Sequence, residues 1–232
     1  MSVFSVLFGI EQSQVQEHVI LAPMVPEQLL CLLDVSPWKK GRLYSCAQGQ
    51  DFTLIKTMVG AWSVGDAVLH LSQTPCRDIL LWGSCGSLGR LALGELVCPQ
   101  KAFELESFSR MLSDPRTGES FEPDPEFNSR LLGSGVSGQI KAVSVLTVGS
   151  LQLEEPNAAV FRSQGIDVLD MECSAFFAAA HHIRKPAAAL FFVSDIVGEK
   201  PFYAPRSEAE QAGLIACLKL SAGIIKTVLY GN

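Results

Sequence analysis

Short apolar runs that stop at Gly, Pro or Asp alternate along this chain with stretches of helical periodicity, and that alternation limits its fold more than any other feature. His18–Pro23 (HVILAP), Thr53–Gly60 (TLIKTMVG), Arg77–Trp82 (RDILLW), Gly94–Phe103 (GELVCPQKAF), Gln139–Val148 (QIKAVSVLTV), Gly165–Met171 (GIDVLDM) and Pro186–Asp195 (PAAALFFVSD) read as strands. Helical spacing runs over Ser63–Gln73, Asp124–Leu132, Pro156–Gln164, Glu172–Ile183 and Ser207–Leu229. Interleaving of this kind predicts an α/β fold with a mixed, twisted central sheet flanked by helices, because parallel neighbours need a crossover and a helix must cover each sheet face. At 232 residues the chain suits one core, so a single domain over residues 1–232 is expected. Residues 1–17 precede the first such strand and read as an N-terminal extension. Ser107–Asn128 is polar and rich in Pro, Gly, Asp and Ser, and reads as a loop or lid.

Composition removes several classes of function. A net charge of −6 with no Lys/Arg run gives nothing to neutralise a phosphate backbone, so nucleic acid is not an expected partner. With 48% hydrophobic and 18% charged residues the chain should be globular, and its longest apolar runs are broken before they could span a bilayer, so no membrane partner is expected. The N-terminus lacks the basic segment and small-residue cleavage site of a secretory signal. Seven scattered cysteines without C-x-x-C spacing point to buried thiols in a reducing cytoplasm and show no metal framework.

Two constellations carry chemistry. In Leu80–Gly89 (LLWGSCGSLG) a strand enters a Gly-rich turn holding Ser84, Cys85 and Gly86, where backbone N–H groups can face a ligand. Cys85 as a nucleophile on an elbow is the sharper reading. It fails on order, since no histidine follows His182 and Asp195 comes after it. The second constellation is VLDMECSAFFAAAHHIRKPAAALFFVSD, Val168–Asp195. Asp170 and Glu172 end one strand, and Ser194 and Asp195 end the next. Taken singly they suit a helix N-terminus and an Asx turn. Jointly they suit a ligand with hydroxyl groups and a leaving group that needs a proton.

DMECSA followed by VSD, with GSCGSL upstream, resembles the nucleoside phosphorylase and nucleosidase superfamily from His18 onward. GSCG is similar to bacterial purine nucleoside phosphorylases. The spacing from Leu151 through Met171 to Asp195 resembles methylthioadenosine/S-adenosylhomocysteine nucleosidases. The resemblance implies that Glu172 binds the ribose hydroxyls, that Met171 packs beneath the sugar, and that Asp195 protonates N7 of a purine as the glycosidic bond breaks. It places Asp170, Ser84, Cys85, Gly86, Leu151 and Ser194 around the substrate, and implies a cytoplasmic homodimer with no metal and no organic cofactor.

Phosphorylases of the superfamily hold phosphate with a Gly and an Arg in a PGDPxR loop and with an Arg before the GSCG turn. Here the loop reads PMVPEQ, with Met24 and Gln28 in those places, and Leu81 takes the second Arg's place. A phosphate dianion without those donors would be buried at a cost of several kcal/mol, so water is the expected nucleophile. Glu11 is the candidate to position it, although matching HVILAP to the first family strand leaves Glu11 ahead of that strand; Glu172 is the alternative. The base-stacking segment is also altered, with Leu151 for an aromatic residue and Gly149 for an acid. Substrates of the methylthioadenosine, S-adenosylhomocysteine or futalosine type therefore stay open. So do two alternatives: a phosphorylase using Arg90 or Arg206, and a nucleoside-binding homologue with little or no catalysis.

Overall fold

The computed structural model describes residues 2–106, 120–135 and 139–230. Among these, ten strands join in one sheet. They are β1 His18–Ala22, β2 Lys39–Lys40, β3 Ser45–Gln48, β4 Phe52–Lys56, β5 Asp78–Ser87, β6 Leu96–Leu105, β7 Ser120–Phe121, β8 Ile140–Val148, β9 Val168–Asp170 and β10 Ala187–Ile196. The helices are α1 Val3–Phe8, α2 Glu27–Leu33, α3 Ala61–His70, α4 Pro125–Ser134, α5 Glu154–Ser163, α6 Cys173–Ile183 and α7 Glu208–Tyr230.

The path β5–β10–β6–β8–β9 returns to β5, because β10 and β9 pair with β5 on opposite sides. Those five strands form a closed ring, and β1, β4, β3 and β2 extend from β5 as an arm. Pairing is mixed as expected: β1–β4, β1–β5, β5–β10, β6–β8 and β8–β9 are parallel, whereas β5–β9 and β6–β10 are antiparallel.

Alternation along β5 divides the core. Ile79, Leu81 and Cys85 face α3 and α6, meeting Val64, Val68, Phe176 and Phe177. Leu80 and Trp82 face α2, α4 and α7, meeting Leu29, Phe127, Leu218 and Ile225. Small residues on α6 (Ala175, Ala179 and Ala180) are fully buried and let that helix lie close to α3. Helix α7 includes a span, Glu208–Leu229, whose mean hydropathy of 1.7 would suffice to cross a membrane. The sequence reading overlooked that span. Here Cys217, Leu218, Ala222, Ile225 and Val228 bury one side of it against α2, α4 and the sheet, which accounts for its apolar character.

Two expected boundaries change. Residues 1–17 are not an appended extension: Phe4 stacks on Phe8 at 4.2 Å between ring centroids, Phe8 lies 4.4 Å from the Tyr44 ring, and Phe4, Phe8, Ile10 and Val15 are buried in the core. Of the expected loop over 107–128, residues 107–119 lie outside the described residues. Beyond them Ser120–Phe121 pairs with β6, and Asp124 caps α4 by accepting the Phe127 N–H at 2.8 Å, with Pro125 opening the helix. Turn-forming residues there mark a helix start and not a loop.

Candidate active site

The site is built around the far end of β5. Gly86 pairs with Leu169 of β9 on one side and with Asp195 of β10 on the other. Strand spacing of about 4.8 Å therefore sets the two acid-bearing backbones roughly 10 Å apart across β5. The acids were expected at the carboxyl ends of neighbouring strands. Instead β9 runs antiparallel to β5 and β10 parallel, so Asp170 and Asp195 arrive from opposite directions at Cys85–Gly86. Both charges are felt by the buried Cys85 thiol, which burial first and then Asp170 and Asp195 push well up.

Asp170 starts α6. Thr147 Oγ1 donates to its Oδ1 at 2.7 Å, and the N–H groups of Glu172 and Cys173 donate to its Oδ2 at 3.0 and 2.6 Å. The N–H of Cys173, the first donor of the helix, is thereby satisfied together with that of the Glu172 N-cap. Thr147 Oγ1 also accepts the Ser174 N–H at 2.8 Å. Asp170 is 3% exposed, so its carboxylate is a helix-capping group and not the substrate contact it was expected to be.

Glu172, two residues on, turns the other way. Its Oε1 accepts the N–H of Gly60 at 2.6 Å. Gly60 precedes α3 with φ 114 and ψ 147, a conformation essentially reserved for glycine. Burial, and then the Asp170 charge, push Glu172 up to about 8. Asp170 is pushed up to about 6 by burial, against which Thr147 and the two N–H donors pull. Three donors hold the charge on Asp170, and Glu172 keeps its proton to higher pH.

At β10 the register slips between Val193 and Asp195, a bulge at Ser194. The slip turns Asp195 over Gly86. A Cβ on Gly86 would stand 2.8 Å from Asp195 Oδ2, so only glycine admits the carboxyl there. Ser194 Oγ lies 2.6 Å from Asp195 Oδ1 and 3.3 Å from the Cys85 carbonyl oxygen. Burial raises the Asp195 carboxyl above its ordinary range, while Ser194 and Arg206 oppose the rise. Arg206 Nη2 donates to the Ser194 carbonyl at 3.1 Å.

A fourth acid was missed. Glu154 opens α5 and stands half-buried after the 3-10 turn Leu151–Leu153. Burial, then Asp195 and Asp170, push it up to about 7. Among the described residues no group of three or more His, Cys, Asp or Glu is arranged to hold a metal ion.

Residues 27–229 match the sequence family described as the Phosphorylase superfamily. This chain belongs to that superfamily. Among solved structures of similar fold is a 5'-methylthioadenosine/S-adenosyl homocysteine nucleosidase from Campylobacter jejuni, with 20% identity over 92% of this chain and 98% of that one and a TM-score of 0.73. A uridine phosphorylase from Vibrio fischeri has 18% identity over 96% of this chain and 95% of its own, with a TM-score of 0.81. An AMP nucleosidase from Bacteroides thetaiotaomicron has 18% identity over 91% and 89%, with a TM-score of 0.70. Among curated proteins none matches the sequence.

The superfamily resemblance can now be followed residue by residue. Asp195 and Ser194 stand beside Cys85–Gly86, while Glu172, with Met171 half-buried next to it, bonds the Gly60 N–H. Ser84 is half-buried one residue before Cys85. The Cys85 thiol points into the core, 3.7 Å from the Phe192 carbonyl oxygen, so any ligand contact at Cys85 is through its backbone. Leu151 stands half exposed on the turn before Glu154. Glu11 does not reach the site. It lies exposed before β1, where Ser2 Oγ donates to its carboxylate at 3.2 Å and its own N–H is taken by Gln14 Oε1 at 2.9 Å. Its partners are Ser2 and Gln14, and among the described residues none of its contacts joins it to Glu172 or Asp195, so the structure does not support the water-positioning role expected of Glu11. His181 and His182 are exposed in the last turn of α6, about 12 Å along the helix from its start near Glu172, and form no dyad with Cys85.

Of the phosphate-binding places, Met24 and Gln28 are exposed and uncharged, and Leu81 is buried in the core. Arg90 points outward to Asp167 at 3.5 Å. Cations at this end of the sheet among the described residues include Arg206, the exposed Lys56 that closes β4, and Lys200, which is paired with Glu210.

Proposed function

We propose that the chain is a nucleosidase that hydrolyses the N-glycosidic bond of a purine ribonucleoside of the methylthioadenosine, S-adenosylhomocysteine or futalosine type, acting as a cytoplasmic homodimer without metal or organic cofactor. The observation that carries this reading is the approach of Asp170 and Asp195 to Cys85–Gly86 from opposite sides of β5, with Glu172 two residues beyond Asp170 and Arg206 the one guanidinium bonded there among the described residues. Such a site disfavours a phosphate dianion and favours a ribosyl group that gains positive charge as it reacts.

Each side chain then has a task. Asp195, held toward its protonated form by burial, gives its proton to N7 as the C1'–N9 electron pair leaves with the base. Glu172, fixed by the Gly60 N–H and held toward its protonated form, bonds the ribose hydroxyls, and the Asp170 carboxylate behind it favours the positive charge that the ribosyl carbon gains. Water attacks C1' from the side of Glu172, and its released proton returns to a carboxylate, restoring the starting state. Asp170 holds α6 and the backbone of Glu172 in place. Two nucleosidases among the structural neighbours support this reading.

Phosphorolysis is the second reading, and the Arg206 contact to Ser194 O is the observation in its favour. Mass spectrometry of a nucleoside panel incubated with and without phosphate separates the two. Free ribose and a rate indifferent to phosphate are expected; ribose 1-phosphate formed only with phosphate would replace hydrolysis by phosphorolysis. Nucleoside binding with no base released would leave a binding protein.

A further inference from the structure

On the face of the ring that α6 covers, one step along the strands changes the sheet from apolar to polar. Ala102 of β6, Val145 of β8 and Val168 of β9 stand side by side in register and are fully buried in the core that includes Phe176 and Phe177 of α6. Two residues nearer the carboxyl ends the same face carries Glu104, Thr147 and Asp170, again side by side, at 9%, 0% and 3% exposure. Glu106 follows one residue past the end of β6, and there Ser174, the second residue of α6, donates its hydroxyl to Glu106 Oε1 at 3.1 Å. Ser174 is fully buried, and its N–H is the one that Thr147 Oγ1 accepts while donating to Asp170 Oδ1. An unbroken run of hydrogen bonds therefore leads from Glu106 through Ser174 and Thr147 to Asp170, two residues before Glu172.

Acids set into such a layer are costly to bury, and Asp170 is accounted for by the N–H groups it takes. Glu106 meets α6 differently, through a side-chain hydroxyl. It brings a further carboxylate, from another strand, to the positive end of an 11-residue helix, which favours its ionised form. Its charge reaches the acids through the bonded run: burial foremost, and Glu106 with it, push the Asp170 carboxyl up. The other titratable groups about this layer are Glu104 from β6, Glu172 and the Cys173 thiol from α6 and the Cys85 thiol from β5, with Glu154 of α5 and Asp195 of β10 on the neighbouring elements. Both thiols are raised by burial and stay neutral.

We propose that Glu106 is a positioning residue of the reaction: held by the Ser174 hydroxyl, its carboxylate sets the charge of the layer beneath Glu172 and so speeds cleavage without contributing to nucleoside binding. The inference rests on the nucleosidase reading for the task of Glu172. A neutral nucleoside gains little from a carboxylate that does not touch it, whereas a ribosyl group with growing positive charge gains more the further the bond is broken. Stabilisation of that kind appears in kcat and leaves KM in place. Ser174 fixes where the charge stands, and Thr147 and Asp170 carry the same frame to Glu172.

Glu106→Gln in the full chain is the deciding variant, because its amide oxygen still accepts the Ser174 hydroxyl while the charge is gone. It should melt near the parent temperature and lower kcat for base release from 5'-methylthioadenosine, adenosine or inosine roughly tenfold, with KM within about twofold. Ser174→Ala frees the carboxylate but keeps its charge, so it should cost less; the double variant should be no slower than Glu106→Gln alone, since both act along one path. Carboxyl carbon NMR, which needs no turnover, should show the Asp170 titration moving to lower pH in Glu106→Gln. An unchanged kcat in Glu106→Gln overturns the proposal. A loss confined to KM, or one that follows a fall in melting temperature, means a binding or structural role and overturns it too. Absence of base release from every nucleoside would sink the nucleosidase reading; the titration then decides Glu106, since an Asp170 midpoint that moves keeps it as the group setting the charge beneath Glu172, and one that stays removes it.

Discussion

Asp170 and Asp195 flank the same two residues of β5, yet their surroundings differ in kind. The β9–α6 junction gives Asp170 three donors and almost no exposure, while the β10 bulge gives Asp195 one hydroxyl and leaves it half-buried beside Arg206. Proximity to a site is thus no guide to role. A carboxylate whose acceptor capacity is used by backbone donors is committed to holding the helix, and one short of donors keeps its proton and can hand it on.

The contrast can be broken from either side. Asp170→Ala strips partners from Thr147, the Glu172 N–H and the Cys173 N–H at once, and should lower stability by about 3 kcal/mol or more, read as a fall in melting temperature. Asp195→Asn should instead leave melting near the parent value and slow base release at least roughly a hundredfold while nucleoside binding persists; undiminished release would remove its role as acid. Gly86→Ala sets a methyl 2.8 Å from Asp195 Oδ2, which must shift, and should cost about tenfold in base release with little loss of binding. Glu172→Gln should impair ribonucleosides more than 2'-deoxynucleosides, and equal impairment would deny its contact with the 2'-hydroxyl. The smallest effect concerns pH. Because Glu172 is raised in the fold from 4.5 to about 8, its contribution to stability is complete below about pH 4.5 and is lost as pH rises through 8. Melting temperatures should accordingly fall less between pH 5 and 8.5 in Glu172→Gln than in the parent chain.

The strands at the centre of the molecule could be read from residues alone. Each of β1, β5 and β10 is an apolar run, largely buried on both faces, that stops at a turn-forming or acidic residue, and β8 is buried in the same way from Val145 onward. Lys39–Lys40 and Ser45–Gln48 escaped because short edge strands carry polar residues and little pattern. The apolar VFSVLF of α1 shows no stripe, since its partners Tyr44 and the sheet lie elsewhere in sequence. Asp195 and Glu172 were found through local motif. Strand direction is not local, so the antiparallel entry of β9 was invisible, as was the Gly60 N–H, which reaches Glu172 from 112 residues away. Glu154 lay within reach: its stripe with Asn157, Ala158 and Phe161 is in the sequence, but a helix begun at Pro156 cut it off.

Closure of β5, β10, β6, β8 and β9 into a ring has an evolutionary consequence. Asp170, Glu172, Asp195 and Glu154 hang from the ring or from a helix that leaves it, whereas Met24 belongs to the loop of the protruding arm and Gln28 to the first turn of α2 that follows. Exchange of that loop can alter the arm without loosening the closed frame that carries the acids. Arm and ring are thereby free to diverge at different speeds.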